Sequence, residues 1–196
     1  MQSESKEPFE SSIVFLVDNS LSMAERDVRG GADLLTRSEA VFDAMHGFLE
    51  APASESTPVW VCSVVLFNNA AEIKLARAPV NTELAPKLDA IRRQVQPKFE
   101  GHYGVAVDGM RKIIKGGYGC GVTIGVLLSD GQPVDKTAVV LRQVEAMRQE
   151  GGATCILHTV GAARELTVLA ACMPRACEWA VRCAGGRWAP AQSGSF

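Results

Sequence analysis

Short continuous apolar runs, each followed by a stretch of helical periodicity, constrain this chain more than any other feature. Ser12–Val17 is almost wholly apolar and stops at Asp18, the pattern of a strand buried on both faces. Val59–Phe67, Val122–Leu128 and Thr154–Val160 repeat it, rich in β-branched and aromatic residues. Between these runs, apolar residues recur at intervals of three and four. Thr36-x-x-Glu39 forms a capping box ahead of Val41, Met45, Phe48 and Leu49, which predicts an amphipathic helix ending near Glu50. Leu84, Leu88, Ile91 and Val95 mark a second helix, and Ala106, Met110 and Ile113 a third. Asp135 is placed to cap a fourth helix, which carries Val140, Val144 and Met147 and closes at Gly151-Gly152.

Strands alternating with helices imply a mostly parallel sheet covered on both faces. Asn68-Asn69, between Val59–Phe67 and Ala71–Ala76, predicts a tight turn and an antiparallel arm at the sheet edge. The predicted fold class is therefore α/β: a Rossmann-like three-layer sandwich whose mostly parallel central sheet has one antiparallel edge strand and helices on both faces. The segment NSLSMAERDVRGGAD is expected to be a polar loop. A last helical region from about Glu165 to Cys183 and a short strand near Gly185 to Trp188 complete a single expected domain over residues 11–190. Residues 1–10 and 191–196 are expected to be tails.

Composition excludes several function classes. With 20 Lys+Arg against 22 Asp+Glu the formal charge is −2, so no basic footprint for nucleic acid or an anionic membrane is present. No apolar run approaches the ~20 residues that a membrane span needs. The opening MQSESKEPFE is polar and has no apolar core of a secretory signal, so a cytoplasmic location is expected. The six cysteines are then expected as reduced thiols. Cys62 and Cys155 lie in strand-like runs, where a thiol acts as a small hydrophobe. Cys172, Cys177 and Cys183 lack the C-x-x-C pairing of a zinc site.

In parallel α/β sheets, ligands bind beyond the carboxyl ends of the strands. Two such ends carry chemistry. The first strand runs into Asp18-Asn19-Ser20-Leu21-Ser22, and the strand Val122–Leu128 runs into Ser129-Asp130-Gly131-Gln132-Pro133. Asp and Ser after a strand commonly cap turns. Two carboxylates and several hydroxyls meeting at one sheet end, however, make a hard all-oxygen site suited to Mg²⁺ or Mn²⁺.

At these residues the chain resembles the von Willebrand factor A family, over about residues 11–190. The likeness rests on Asp18 to Met23, the turn at Asn68-Asn69, Leu128-Ser129-Asp130-Gly131 with Pro133, and the closing Gly185-Gly186-x-Trp188. The resemblance implies a metal-ion-dependent adhesion site. Ser20 and Ser22 would ligate Mg²⁺ or Mn²⁺ directly, and Asp18 and Asp130 directly or through water. It further implies a non-enzymatic module whose protein partner offers an acidic side chain to the ion. The family's threonine, in a Gly-Gly-Thr loop, is missing here. That loop reads Glu100-Gly101-His102-Tyr103-Gly104, and either Gly104 or Tyr103 falls in the threonine slot depending on register. His102, Tyr103 and Gly104 are thus the candidate loop contributors.

Val17-Asp18-Asn19-Ser20, Thr36-Arg37 and Val95-Gln96-Pro97-Lys98 also look like the domains found in the proteasome's ubiquitin-receptor subunit and in transcription factor IIH. That likeness implies the alternative, a metal-independent docking subunit of a larger intracellular complex. Enzyme readings fail on motif. A dehalogenase-type phosphatase needs a second Asp where Ser20 stands, and no G-x-S-x-G nucleophile turn occurs. His46 and His158 read as structural. Gly117-x-Gly119-x-Gly121 precedes a strand, whereas a dinucleotide fingerprint follows one. A receiver domain would need paired acidic residues after the first strand and a phosphorylatable Asp after the third, and the run after Val65-Leu66-Phe67 is Asn68-Asn69, with no carboxylate.

Overall fold

A computed structural model of the chain describes residues 11–30, 32–53, 60–116, 122–130, 134–151 and 154–157. The elements are β1 (Ser11–Asp18), β2 (Arg26–Gly30), β3 (Asp33–Thr36), α1 (Arg37–Ala53), β4 (Trp60–Phe67), β5 (Ala71–Pro79), α2 (Leu84–Gln94), α3 (Tyr103–Gly116), β6 (Val122–Leu128), α4 (Thr137–Gly151) and β7 (Thr154–Leu157). A 3₁₀ turn, Leu21–Ala24, lies between β1 and β2. The main sheet has the order β5-β4-β1-β6-β7. β1 pairs in parallel with β4 and β6, β6 with β7, and only β5 is antiparallel, at the edge. This is the Rossmann-like α/β architecture expected from the sequence.

The period-2 geometry of a strand explains why a continuous apolar run is needed at β1. Ile13, Phe15 and Val17 point into a core formed with Phe42 and Met45 of α1 and Leu88 and Ile91 of α2. Val14 and Leu16 point the other way, onto Ala106 and Met110 of α3 and Val140 and Met147 of α4. Both faces of the central strand are therefore covered, which favours the apolar run from Ile13 to Val17. Phe15 meets Phe48 edge-to-face at 5.9 Å between centroids, and Phe67 meets Tyr103 in the same way on the opposite face. Cys62 is a buried free thiol in β4, and burial pushes its pKa up to about 12, so it serves as a packing group.

The capping box forms at the start of α1: Thr36 N–H donates to the Glu39 carboxylate at 2.7 Å and Glu39 N–H to Thr36 Oγ1 at 3.0 Å. The helix extends to Ala53, three residues beyond the expected end. β5 also runs longer than expected, to Pro79, across a bulge opposite Cys62–Val65. There Arg77 takes a left-handed backbone (φ 48°) and its N–H donates to Ser63 Oγ at 3.0 Å.

One local expectation is corrected. The segment expected as a polar loop holds the 3₁₀ turn and β2, which pairs antiparallel with β3 in a separate two-stranded sheet. Met23, fully buried in the 3₁₀ turn, anchors this segment in the core shared with α1 and α2. The tails at 1–10 and 191–196, the helix to Cys183, the strand near Gly185, Gly117–Gly121, Gly131–Pro133, His158 and the three late cysteines lie outside the described residues. Among the described residues, no helix is long and apolar enough to cross a membrane.

Candidate metal centre at the carboxyl end of the sheet

The sheet's register sets the site. Asp18 is the last residue of β1, paired with Phe67 of β4, while Val17 pairs with Leu128, the last residue of β6. Ser129 and Asp130, one and two residues further on, therefore emerge beside Asp18. Asn19 N–H donates to the Phe67 carbonyl at 2.7 Å, which fixes the direction in which the chain leaves β1.

Asp18 is 1% exposed, and each of its carboxylate oxygens accepts one local hydrogen bond. Its Oδ1 accepts from Ser20 N–H at 2.8 Å, and its Oδ2 from the Ser129 hydroxyl at 2.5 Å. Ser129 Oγ in turn accepts from the Tyr103 hydroxyl at 2.8 Å. Burial holds the Asp18 carboxyl above its ordinary range, and the nearby Asp130 charge adds to this; the bonds from Ser129 and Ser20 act in the opposite direction. The Ser20 and Ser22 hydroxyls face each other at 3.2 Å. The structure thus brings Asp18, Ser20 and Ser22 together, with Asp130 on the neighbouring strand end.

The loop before α3 closes one side. At Gly101 a Cβ would lie 3.2 and 3.3 Å from the two Asp18 carboxylate oxygens, a tighter contact than a side chain ordinarily makes, and glycine leaves that space free. His102 is directed elsewhere: its Nδ1 lies 3.1 Å from Asp135 Oδ1. Gly104 N–H donates to Asp135 Oδ2 at 2.9 Å, and a Cβ at this position would collide with the Gln143 side chain of α4. The hydroxyl that this loop supplies is Tyr103's, which reaches Asp18 through Ser129.

Asp135 corrects the expectation that it caps its own helix. Its carboxylate sits at the start of α3 instead, where free N–H groups and the helix dipole favour an anion. Sequence reasoning also missed Arg37. From the first position of α1 its guanidinium donates to Asp130 Oδ2 at 2.9 Å, and it pairs at 2.6 Å with both Glu25 and Asp27 near the hairpin. Asp27, Glu25 and Asp130 all reinforce the arginine's charge, Asp27 most. No single-sequence pattern links Arg37 to Asp130, 93 residues away.

The donor set is chemically suited to a hard divalent cation: two carboxylates and the hydroxyls of Ser20 and Ser22, with a glycine opposite Asp18. Buried Asp18, unneutralised by any cationic side chain in its own hydrogen bonds, is the strongest indication of fit. Asp130 already has a cation on it, in Arg37.

No protein-family model matches this sequence, and no curated protein matches it. Solved structures do share the fold. The SpRpn10 VWA domain superposes with a TM-score of 0.69 at 12% identity, covering 92% of this chain and 91% of that one. A von Willebrand factor type A protein from Catenulispora acidiphila gives 0.68 at 15% identity, over 89% of this chain and 38% of that one, so this chain spans well under half of that protein. Manganese-loaded TRAP protein from Plasmodium vivax gives 0.62 at 14% identity, over 88% of this chain and 68% of that one. What these likenesses share with this chain is the fold, a mostly parallel central sheet with helices on both faces. The chain has the fold of a von Willebrand factor A domain.

Proposed function

We propose that this domain is a non-enzymatic protein-interaction module that binds an acidic side chain of a partner through Mg²⁺ or Mn²⁺ at the carboxyl end of its sheet. The observation that carries this reading is the convergence of Asp18, Ser20, Ser22 and Asp130 at adjacent strand ends, with Asp18 buried and lacking a cationic partner in its hydrogen bonds. Ser20 and Ser22 would hold the ion directly, and Asp18 and Asp130 directly or through water. The bound ion would supply an incompletely neutralised charge that a partner carboxylate completes. Ser129 and Tyr103 keep Asp18 oriented, and Gly101 keeps its approach open.

Calorimetric titration of Mn²⁺ into wild type and Asp18→Ala tests this. The account expects binding in the wild type and none in the variant, whose two apolar cores are left unchanged. Equal affinity in the two proteins contradicts it.

A second reading has its own observation. Arg37 already neutralises Asp130, which suits a metal-independent docking subunit of a larger assembly. Under that reading the Mn²⁺ titration is silent for both proteins, and partner binding is insensitive to EDTA.

A further inference from the structure

Six large apolar side chains are exposed among the described residues, and three of them surround the site. Leu21 is 66% exposed, Phe99 61% and Val134 52%. They come from three separate segments that backbone bonds draw together. Leu21 N–H donates to the Phe99 carbonyl at 2.9 Å, and Val134 N–H to the Gly101 carbonyl at 3.0 Å. Gly101 is the residue that lies against the Asp18 carboxylate. Scattered exposed apolar residues need no explanation, but a group gathered on one functional edge does.

Phe99 adds an independent observation. Its backbone lies in the left-handed region, at φ 63°. That conformation is unfavourable for a side chain with a Cβ, and glycine or asparagine adopts it far more readily. A phenyl ring that is both strained and exposed contributes little to the fold, and strain of this kind gathers at ligand clamps.

We propose that Leu21, Phe99 and Val134 form an apolar rim that docks a partner segment in which one acidic side chain is flanked by apolar ones. This rests on the cation reading above, in which the acidic side chain completes the ion's shell. Charge at the rim suits the same occupant. Lys98 and Lys136, next to Phe99 and two residues beyond Val134, are exposed and pair with no acid among the described residues. Glu100, also exposed, offsets one of these charges.

Fluorescence anisotropy with three labelled peptides tests the rim: Gly-Gly-Leu-Asp-Phe-Gly-Gly, the same peptide with Asn for Asp, and Gly-Gly-Gly-Asp-Gly-Gly-Gly. In saturating Mn²⁺ the first should bind about tenfold more tightly than the third, the worth of partly burying two apolar side chains. Phe99→Gly should remove that advantage while leaving the Mn²⁺ affinity unchanged and the melting temperature unchanged or raised. Equal binding of the first and third peptides overturns the proposal, as does an unchanged advantage in Phe99→Gly or no binding of any peptide at millimolar concentration. Failure of the cation reading looks different: the Asp and Asn peptides then bind alike, in Mn²⁺ and in EDTA, and Phe99→Gly weakens both.

Discussion

Replacing Arg37 with Gln separates the fold's use of this residue from the site's. Its guanidinium is 18% exposed and its partner Asp130 4%, so this pair is shielded, whereas Glu25 and Asp27 are more than half and half exposed. Solvent-facing pairs of the latter kind are worth ~1 kcal/mol or less each. Removing the partner of a largely buried carboxylate costs more, roughly 2–3 kcal/mol when glutamine still reaches as a neutral donor. For a domain of this size that lowers the melting temperature by about 5–10 °C. Scanning fluorimetry in EDTA measures this loss. Repeating the scan in excess Mn²⁺ measures the site. The cation and Arg37 compete for Asp130, so Mn²⁺ should raise the melting temperature of Arg37→Gln more than that of wild type. A variant as stable as wild type in EDTA would show that the Arg37–Asp130 pair carries no weight. A smaller Mn²⁺ shift in the variant would show that Arg37 supports the cation site and does not compete for it.

Two further predictions follow from the same geometry. Asp135→Ala removes the anion at the start of α3, and with it the bonds from Gly104 N–H and His102; the expected loss is ~1–2 kcal/mol, read as a lower urea midpoint, with Mn²⁺ affinity unchanged because Asp135 makes no bond to Asp18, Ser20, Ser22 or Asp130 among the described residues. Burial raises the Asp18 pKa above its ordinary 3.8, so its contribution to stability is present below that value and is lost as pH rises through the raised pKa. The cation needs the carboxylate, so Mn²⁺ binding should release protons just above pH 3.8 and progressively fewer toward neutrality; calorimetry in buffers of different ionisation enthalpy reads this, and an affinity flat across that range refutes the role of Asp18.

How much of this was legible in the sequence differs from element to element. β1, β4 and β6 were plain because a strand covered on both faces is apolar at most interior positions (buried Ser63 of β4 is an exception, bonded to Arg77 N–H), and Ile13 through Val17 divide cleanly between two cores. Asp18, Ser20, Ser22 and Asp130 were legible as candidates because parallel strands deliver their following residues to one edge. The capping box of Thr36 and Glu39 is a local rule and held locally.

What was missed depends on contacts distant in the chain. β2 is short and charged and β3 has only four residues, and neither shows the alternation that marks a half-buried strand; the Gly30-Gly31 pair between Val28 and Leu34 was the available turn signal. Asp135 obeys the preference of an anion for a helix start, but the helix is α3, which only the packing of α3 on α4 brings near. Arg37 could equally have been a solvated helix-start residue, and only the tertiary fold sets it on Asp130. Tyr103 falls in the family's threonine slot on one register, yet its hydroxyl bonds to Ser129 and so reaches Asp18 at one remove.

The central claim is that a divalent ion is held by the oxygens of Asp18, Ser20, Ser22 and Asp130. An anomalous difference map from crystals equilibrated with Mn²⁺ tests it most directly. The account predicts a manganese peak among those four side chains, with the Arg37 guanidinium drawn away from Asp130. A map without a peak there, in Mn²⁺-saturated crystals where Arg37 still donates to Asp130, would contradict it.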